Sequence, residues 1–128
     1  MDRFELERYI LGTFPAISDR PWASDPDSQV FRHSSNRKWF ALIMRIPRRR
    51  LGMPGDGMLD VVNLKCPPAL NGSLRASPGF YPAYHMNKDN WITAALDGTA
   101  PDETIKALLD LSYDATAPKR KARMTGTA

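Results

Sequence analysis

The sequence predicts a single α+β domain built on a largely antiparallel sheet, and three observations carry that expectation. Apolar residues recur at helical spacing near both ends of the chain, four segments between them read as strands, and no internal repeat divides the whole. With 128 residues, 42% hydrophobic and 25% charged, the composition is that of an ordinary globular domain. A chain of this size hides roughly two-thirds of its unfolded surface, enough for one core without disulfides or a structural metal.

The predicted order is α-β-β-β-α-β-α. Asp2 followed by Glu5 has the form of a helix-capping pair, and Leu6, Ile10 and Phe14 recur at helical spacing before Gly12 and Pro15 stop the first helix, over about residues 2 to 13. The stretch through Pro21, Asp25, Pro26 and Asp27 is turn-rich and leads into a short strand, Gln29 to His33. Ser34 to Arg37 supplies a hairpin turn. Lys38 to Ile46 is the clearest strand, with Phe40, Leu42, Met44 and Ile46 alternating against Trp39, Ala41, Ile43 and Arg45. Both of its faces are mostly apolar, which suits a strand covered on both sides or facing a half-exposed aromatic surface on one.

Arg48, Arg49 and Arg50 open a loop rich in Gly and Pro that runs to Gly57. Met58 to Cys66 follows as a strand in which Val62, Leu64 and Cys66 point one way and Val61, Asn63 and Lys65 the other. Pro67-Pro68 starts a short helix through Leu70 and Leu74, ended by Pro78-Gly79. Trp91 to Leu96 is the last strand, and Asp97-Gly98 closes it. Thr99 with Asp102 is expected to cap a final helix whose Ile105, Leu108, Leu109 and Ser112 share one side. The domain is expected to span residues 1–117, and residues 118–128, basic and poor in apolar residues, to form a disordered tail.

The net charge of +4 is a property of that tail, because Lys119, Arg120, Lys121 and Arg123 account for four of the 18 basic residues and leave 14 against 14 acidic ones. The domain can therefore hold a polyanion only through a local patch. Met1 is followed by Asp2, Glu5 and Glu7, without the basic start and apolar run of a secretory signal, and no stretch reaches membrane-spanning length. The expectation is a cytoplasmic protein with no membrane partner. A lone cysteine, Cys66, allows no internal disulfide and no thiolate-based zinc site.

Nothing in the residue pattern calls for a catalyst, a metal or a cofactor. Cys66 with His85, oriented by Asp89 or Asp97, could form a nucleophile–base pair, but no spacing rule links them, and a cysteine ending an apolar strand reads as a small buried hydrophobe. His33 and His85 have no companions at ligand spacing. Gly52, Gly55 and Gly57 follow a basic run and open no helix, so they make no phosphate loop. The Arg48–Arg50 run is either a solvated hairpin or a wing whose guanidiniums pair with phosphates, and Trp39 and Trp91 read first as packing residues.

Two stretches go beyond general patterning. Asn63-Leu64-Lys65-Cys66-Pro67, and Pro82-Ala83-Tyr84-His85-Met86-Asn87-Lys88-Asp89-Asn90-Trp91-Ile92 running on through Leu96-Asp97-Gly98, resemble the MmcQ/YjbR family. Lys38-Trp39-Phe40-Ala41-Leu42 and Leu111-Ser112-Tyr113 extend the likeness over about residues 3 to 116. The resemblance implies a compact α+β fold similar to frataxin-like and secretion-chaperone-like domains, with helices on one face of an antiparallel sheet. It marks Lys65, His85, Asn87, Lys88, Trp91, Asp97, Gly98, Ser112 and Tyr113. It also implies DNA as a partner, because hairpins of such domains look like a double wing.

Two functions follow as expectations. One is a non-catalytic, DNA-associated module in which Arg48, Arg49, Arg50, Lys65 and Lys88 meet phosphates, helped by the tail. The other is a chaperone-like module for a protein or small molecule, using an exposed sheet face around Trp39, Ile43, Val61 and Trp91. The His85–Trp91 loop is expected to be an ordered lock between the last strand and last helix, with Ser112 or Tyr113 among its polar partners.

Overall fold

The computed structural model describes residues 1–118, so the basic tail at 119–128 lies outside the described residues. Helix α1 (Arg3–Thr13) starts on Asp2, whose carboxylate accepts from the Phe4 and Glu5 amides while the Asp2 amide donates to the Glu5 carboxylate. This is the reciprocal cap the sequence predicts. The chain continues through β1 (Ala16–Asp19), β2 (Gln29–His33), β3 (Trp39–Pro47), a 3₁₀ turn at Arg48–Leu51, β4 (Met58–Lys65), α2 (Pro68–Leu74), β5 (Phe80–Pro82), β6 (Trp91–Ala95) and α3 (Asp102–Thr116).

The six strands form one sheet in the order β1-β2-β3-β4-β6-β5, antiparallel throughout. The α+β class holds, but two strands join the predicted four. Both are short edge strands. Ala16–Asp19 carries no buried residue, so it has no apolar stripe to announce it, and Phe80–Pro82 has three residues and ends in a proline, which only an edge tolerates.

The alternation read along β3 is broken by a bulge. Phe31 pairs with Ala41 and Arg32 with Trp39, so Phe40 is an extra residue on β3. Phe40 joins Ala41 and Ile43 on the helix-covered face, while Trp39 swings to the opposite face with Leu42, Met44 and Ile46. The predicted grouping of Phe40 with Leu42, and of Trp39 with Ile43, is thereby corrected.

On one face, Leu6 and Ile10 of α1 and Ile105, Leu108 and Leu109 of α3 pack against Phe31, Phe40, Ile43, Val62, Leu64 and Ile92, and Leu70 and Leu74 of α2 border the same core. Burial of each large side chain there stabilises the fold by about 1.5–3 kcal/mol. The other face holds a smaller cluster of Val30, Leu42, Met44, Ile46, Leu59, Val61 and Ala95, roofed by Trp39, Leu51, Met53, Tyr81, Tyr84 and Met86. That face is therefore not the open surface expected around Trp39, Ile43, Val61 and Trp91. Ile43 and Val61 are fully buried, Ile43 beneath the helices, and Trp91 is half-buried.

The predicted cap of α3 also differs. Pro101 precedes the helix without a side-chain cap, and Thr99 instead donates its amide and hydroxyl to the Asp97 carboxylate. Gly79 is required where β5 begins: φ is +89°, and a Cβ there would sit 2.4 Å from the Ala100 amide nitrogen.

Candidate functional site

The residues marked by the resemblance divide between the two faces of the sheet. On the helix side, the Ser112 hydroxyl donates to the Phe40 carbonyl at 2.6 Å and accepts from the Lys65 amide at 2.9 Å. The β3–β4 ladder runs from Pro47 opposite Met58 to Ala41 opposite Leu64, so Ser112 stands in for the next rung. Tyr113 stacks on His33 with ring centroids 3.9 Å apart and on Phe14 at 4.8 Å, and its hydroxyl donates to the Pro15 carbonyl at 3.2 Å.

His33 is buried, and its Nε2 lies 2.8 Å from the Thr116 hydroxyl, which itself donates to the Ser112 carbonyl at 2.8 Å. With its hydroxyl hydrogen given to Ser112, the Thr116 oxygen can accept a hydrogen carried on Nε2. Burial pushes the His33 pKa below its ordinary value, although the Tyr113 backbone and Asp114 pull the other way. Ser112 and Tyr113 therefore bolt α3 to β3 and β4 and make none of the contacts expected with the His85 loop.

That loop is held by Asn63, Thr93 and Asn71 instead. Asn63 of β4 and Thr93 of β6, both fully buried, clamp the backbone of Tyr84. Asn63 Nδ2 donates to the Tyr84 carbonyl at 2.8 Å, the Tyr84 amide donates to Thr93 Oγ1 at 3.0 Å, and Thr93 Oγ1 donates to Asn63 Oδ1 at 2.5 Å. Further on, buried Asn71 of α2 donates to the Trp91 carbonyl at 2.8 Å and accepts from Arg75, whose guanidinium also donates to the Lys88 carbonyl. Asn87 is exposed, and its side-chain oxygen accepts from the Asp89 and Asn90 amides as a local turn. Nothing in the order of residues places Asn71 or Thr93 beside the loop; the β4–β6 register sets Thr93 against Asn63, and the seating of α2 brings Asn71 to the Trp91 carbonyl.

The clamp sets His85 in a left-handed conformation, φ +59°, uncommon for a residue with a Cβ. His85 and Met86 form one wall of a cleft on the loop-covered face, of about 440 Å³. Trp39, Leu42 and Met44 line it from β3, and Trp22, Ser24, Asp25 and Ser28 from the segment before β2. Of these, the sequence singles out His85 and Trp39 as candidates for a site, while Trp22 and Asp25 lie in a stretch whose turns read as a connection.

The five cations expected to meet phosphates do not form one stripe. Arg48 to Arg50 lie beyond the Pro47–Met58 end of the β3–β4 hairpin, and Lys65 lies seven residues along β4 from Met58, about 23 Å at the usual rise of a strand. Lys88 gives its ammonium to the Ala83 carbonyl at 2.9 Å, although it and Arg50 border a common hollow of about 260 Å³. Arg49 and Arg50 are exposed. Asp97 lies close enough to Arg48 to feel its charge: burial pushes its carboxyl up, but the Thr99 hydrogen bonds and Arg48 outweigh this and hold it below the usual value. A different set of guanidiniums does converge, with Arg3 and Arg45 sharing Asp60 at 3.5 and 3.4 Å and Arg20 bordering the same hollow.

Cys66 is buried on the helix side among Leu64 and Ile92, and burial raises its thiol pKa. His85 lines the cleft on the opposite face, so the thiol and the imidazole are separated by the sheet. Among the described residues, no three His, Cys, Asp or Glu side chains group as a metal ion would need, and no helix is long and apolar enough to cross a membrane.

A single sheet with α1, α2 and α3 on one face and a loop-roofed cleft on the other defines a small α+β domain. Residues 12–115 match the model of the YjbR family, and the chain belongs to that family. Uncharacterized protein YyaQ of Bacillus subtilis is 35% identical over 116 residues, which cover 91% of this chain and 98% of that protein. Uncharacterized protein YjbR of Escherichia coli is 43% identical over 53 residues, 41% of this chain and 45% of that one. Among solved structures, a crystal structure of a protein from Pseudomonas syringae shares 45% identity with a TM-score of 0.89, covering 91% of this chain and all of that one. The Deinococcus radiodurans protein DR2400, with a DUF419 domain, shares 25% identity at a TM-score of 0.67, covering all of this chain and 83% of that one.

Proposed function

We propose that the chain is a non-catalytic binding protein whose ligand is a small organic molecule seated between Trp22, Trp39, His85 and Met86. The cleft carries this reading. Its volume of about 440 Å³ falls within the range of small-molecule sites, and such sites combine mostly apolar walls with a few placed polar groups. Here the walls are Trp22, Trp39, Leu42, Met44 and Met86, and the polar groups are Ser24, Asp25, Ser28 and His85. The separation of Cys66 from His85 supports a role without covalent chemistry.

Fluorescence of Trp22 and Trp39 reports on the proposed site directly. A fragment library titrated against the native protein should yield compounds that change the tryptophan emission and lose most of their affinity in Trp22→Leu. A library in which no compound distinguishes the variant from the native protein would reject the reading. Exposed Arg49 and Arg50, with Lys88 beside Arg50, favour DNA as a second reading. It calls for a duplex affinity that falls steeply with salt and falls again in an Arg49→Ala/Arg50→Ala double variant.

A further inference from the structure

The geometry points to the class of ligand this cleft takes: an organic cation, a substituted ammonium on a short apolar body. The inference rests on the cleft reading above and adds the sign of the charge. Trp22 and Trp39 meet at 81° with ring centroids 5.6 Å apart and form an aromatic corner. The electron-rich faces of indole rings attract cations within about 6 Å, and alkylated ammonium groups suit such corners because they are weakly hydrated.

The protein already uses Trp39 in this way. The Arg32 guanidinium lies 5.6 Å from the Trp39 ring centroid, with its charge matched by Asp19 at 3.1 Å. Among the described residues, Asp25 is the one carboxylate lining the cleft, and neither lysine nor arginine lines it. The Asp25 charge is also held in place: its Oδ2 accepts from the hydroxyl of buried Ser28 at 2.5 Å, and the Ser28 amide donates to the Asp25 carbonyl at 3.2 Å. An anion entering the cleft would meet the Asp25 charge, while a neutral body would gain nothing from that carboxylate, which is exposed and held by Ser28. A substituted ammonium answers both the carboxylate and the rings, while its apolar part meets Met44 and Met86.

Choline and its uncharged carbon analogue 3,3-dimethylbutan-1-ol have nearly the same shape and separate charge from size. Amide-shift titrations of the native protein should show both at the cleft, with choline binding about tenfold tighter. Asp25→Asn, which keeps an acceptor for Ser28, should remove most of that preference while leaving the alcohol unchanged, and Trp22→Leu should weaken choline more than the alcohol. If the alcohol equals or exceeds choline in the native protein, or Asp25→Asn keeps the full preference, the cation assignment is overturned and the cleft reading stands. If neither probe perturbs the cleft signals, the cation assignment is overturned, and the fragment titration against Trp22→Leu decides the cleft reading.

Discussion

The two faces of the sheet are covered in different ways, and the difference separates what holds the molecule together from what it can offer a partner. One face lies under α1 and α3, with Leu6, Ile10, Ile105 and Leu109 fully enclosed and the Ser112 hydroxyl taking the place of a ladder rung. The other is roofed by irregular segments, with half-buried Trp39, Tyr84 and Met86 at its edge and a cleft left between them. Regular helices can close a sheet face completely. Loops pinned at a few points leave room.

The sharpest break in the comparison should come from the helix side. Phe40→Ala empties a fully buried position at the bulge, and denaturant melts should show a loss of about 3–5 kcal/mol. A smaller loss would mean that the bulge relaxes and that Phe40 is not central to the core.

Next comes a matched pair of polar variants. Ser112→Ala and Asn63→Ala each remove buried hydrogen bonds and should each cost about 1–3 kcal/mol in the same melts. Their effects on binding should differ. Asn63→Ala frees the Tyr84 backbone and with it His85 and Met86, so ligand affinity at the cleft should fall, whereas Ser112→Ala should leave that affinity unchanged. Equal effects on binding would erase the distinction between the faces.

His33 supplies a pH test confined to the helix side. Its pKa is lowered in the fold, so the unfolded chain binds the proton more readily and this group's share of stability is lost as pH falls below the ordinary histidine value. The melting temperature should drop between about pH 7.5 and pH 5. The drop should be smaller in His33→Gln, and an identical drop in that variant would remove His33 as the cause. The smallest effect is expected at Asn87→Ala, about 0.5–1.5 kcal/mol, because Asn87 is exposed and bonds only to its own turn.

The comparison also explains which parts could be read from the residues. The capping pair at Asp2 and Glu5, the apolar spacing of Ile105, Leu108 and Leu109, and the buried end position of Cys66 are local patterns, and they reappear as written. The bulge at Phe40 does not announce itself, because every residue from Trp39 to Met44 is apolar and either phase satisfies the pattern. The clamp on Tyr84 depends on Asn63 facing Thr93 across β4 and β6, a pairing that exists only once the register is set. His85 and Lys88 were visible through the family-like motif, but Trp22 and Asp25 lie far from it in sequence and reach the cleft through the turns before β2. The expected tie between the His85 loop and Ser112 or Tyr113 joined polar residues of the family-like motif that the sheet keeps on opposite faces.

The central claim is that the loop-covered face is the binding face, and a map of backbone amide shifts tests it most directly. Choline, 3,3-dimethylbutan-1-ol and a short DNA duplex would each be titrated into the native protein. The account predicts that the small probes move signals at Trp22, Trp39, Met44, His85 and Met86, with α3 and the Ser112 region undisturbed. Shifts confined to Arg48–Arg50 and Lys88 with DNA alone, or shifts centred on α1 and α3, would contradict it.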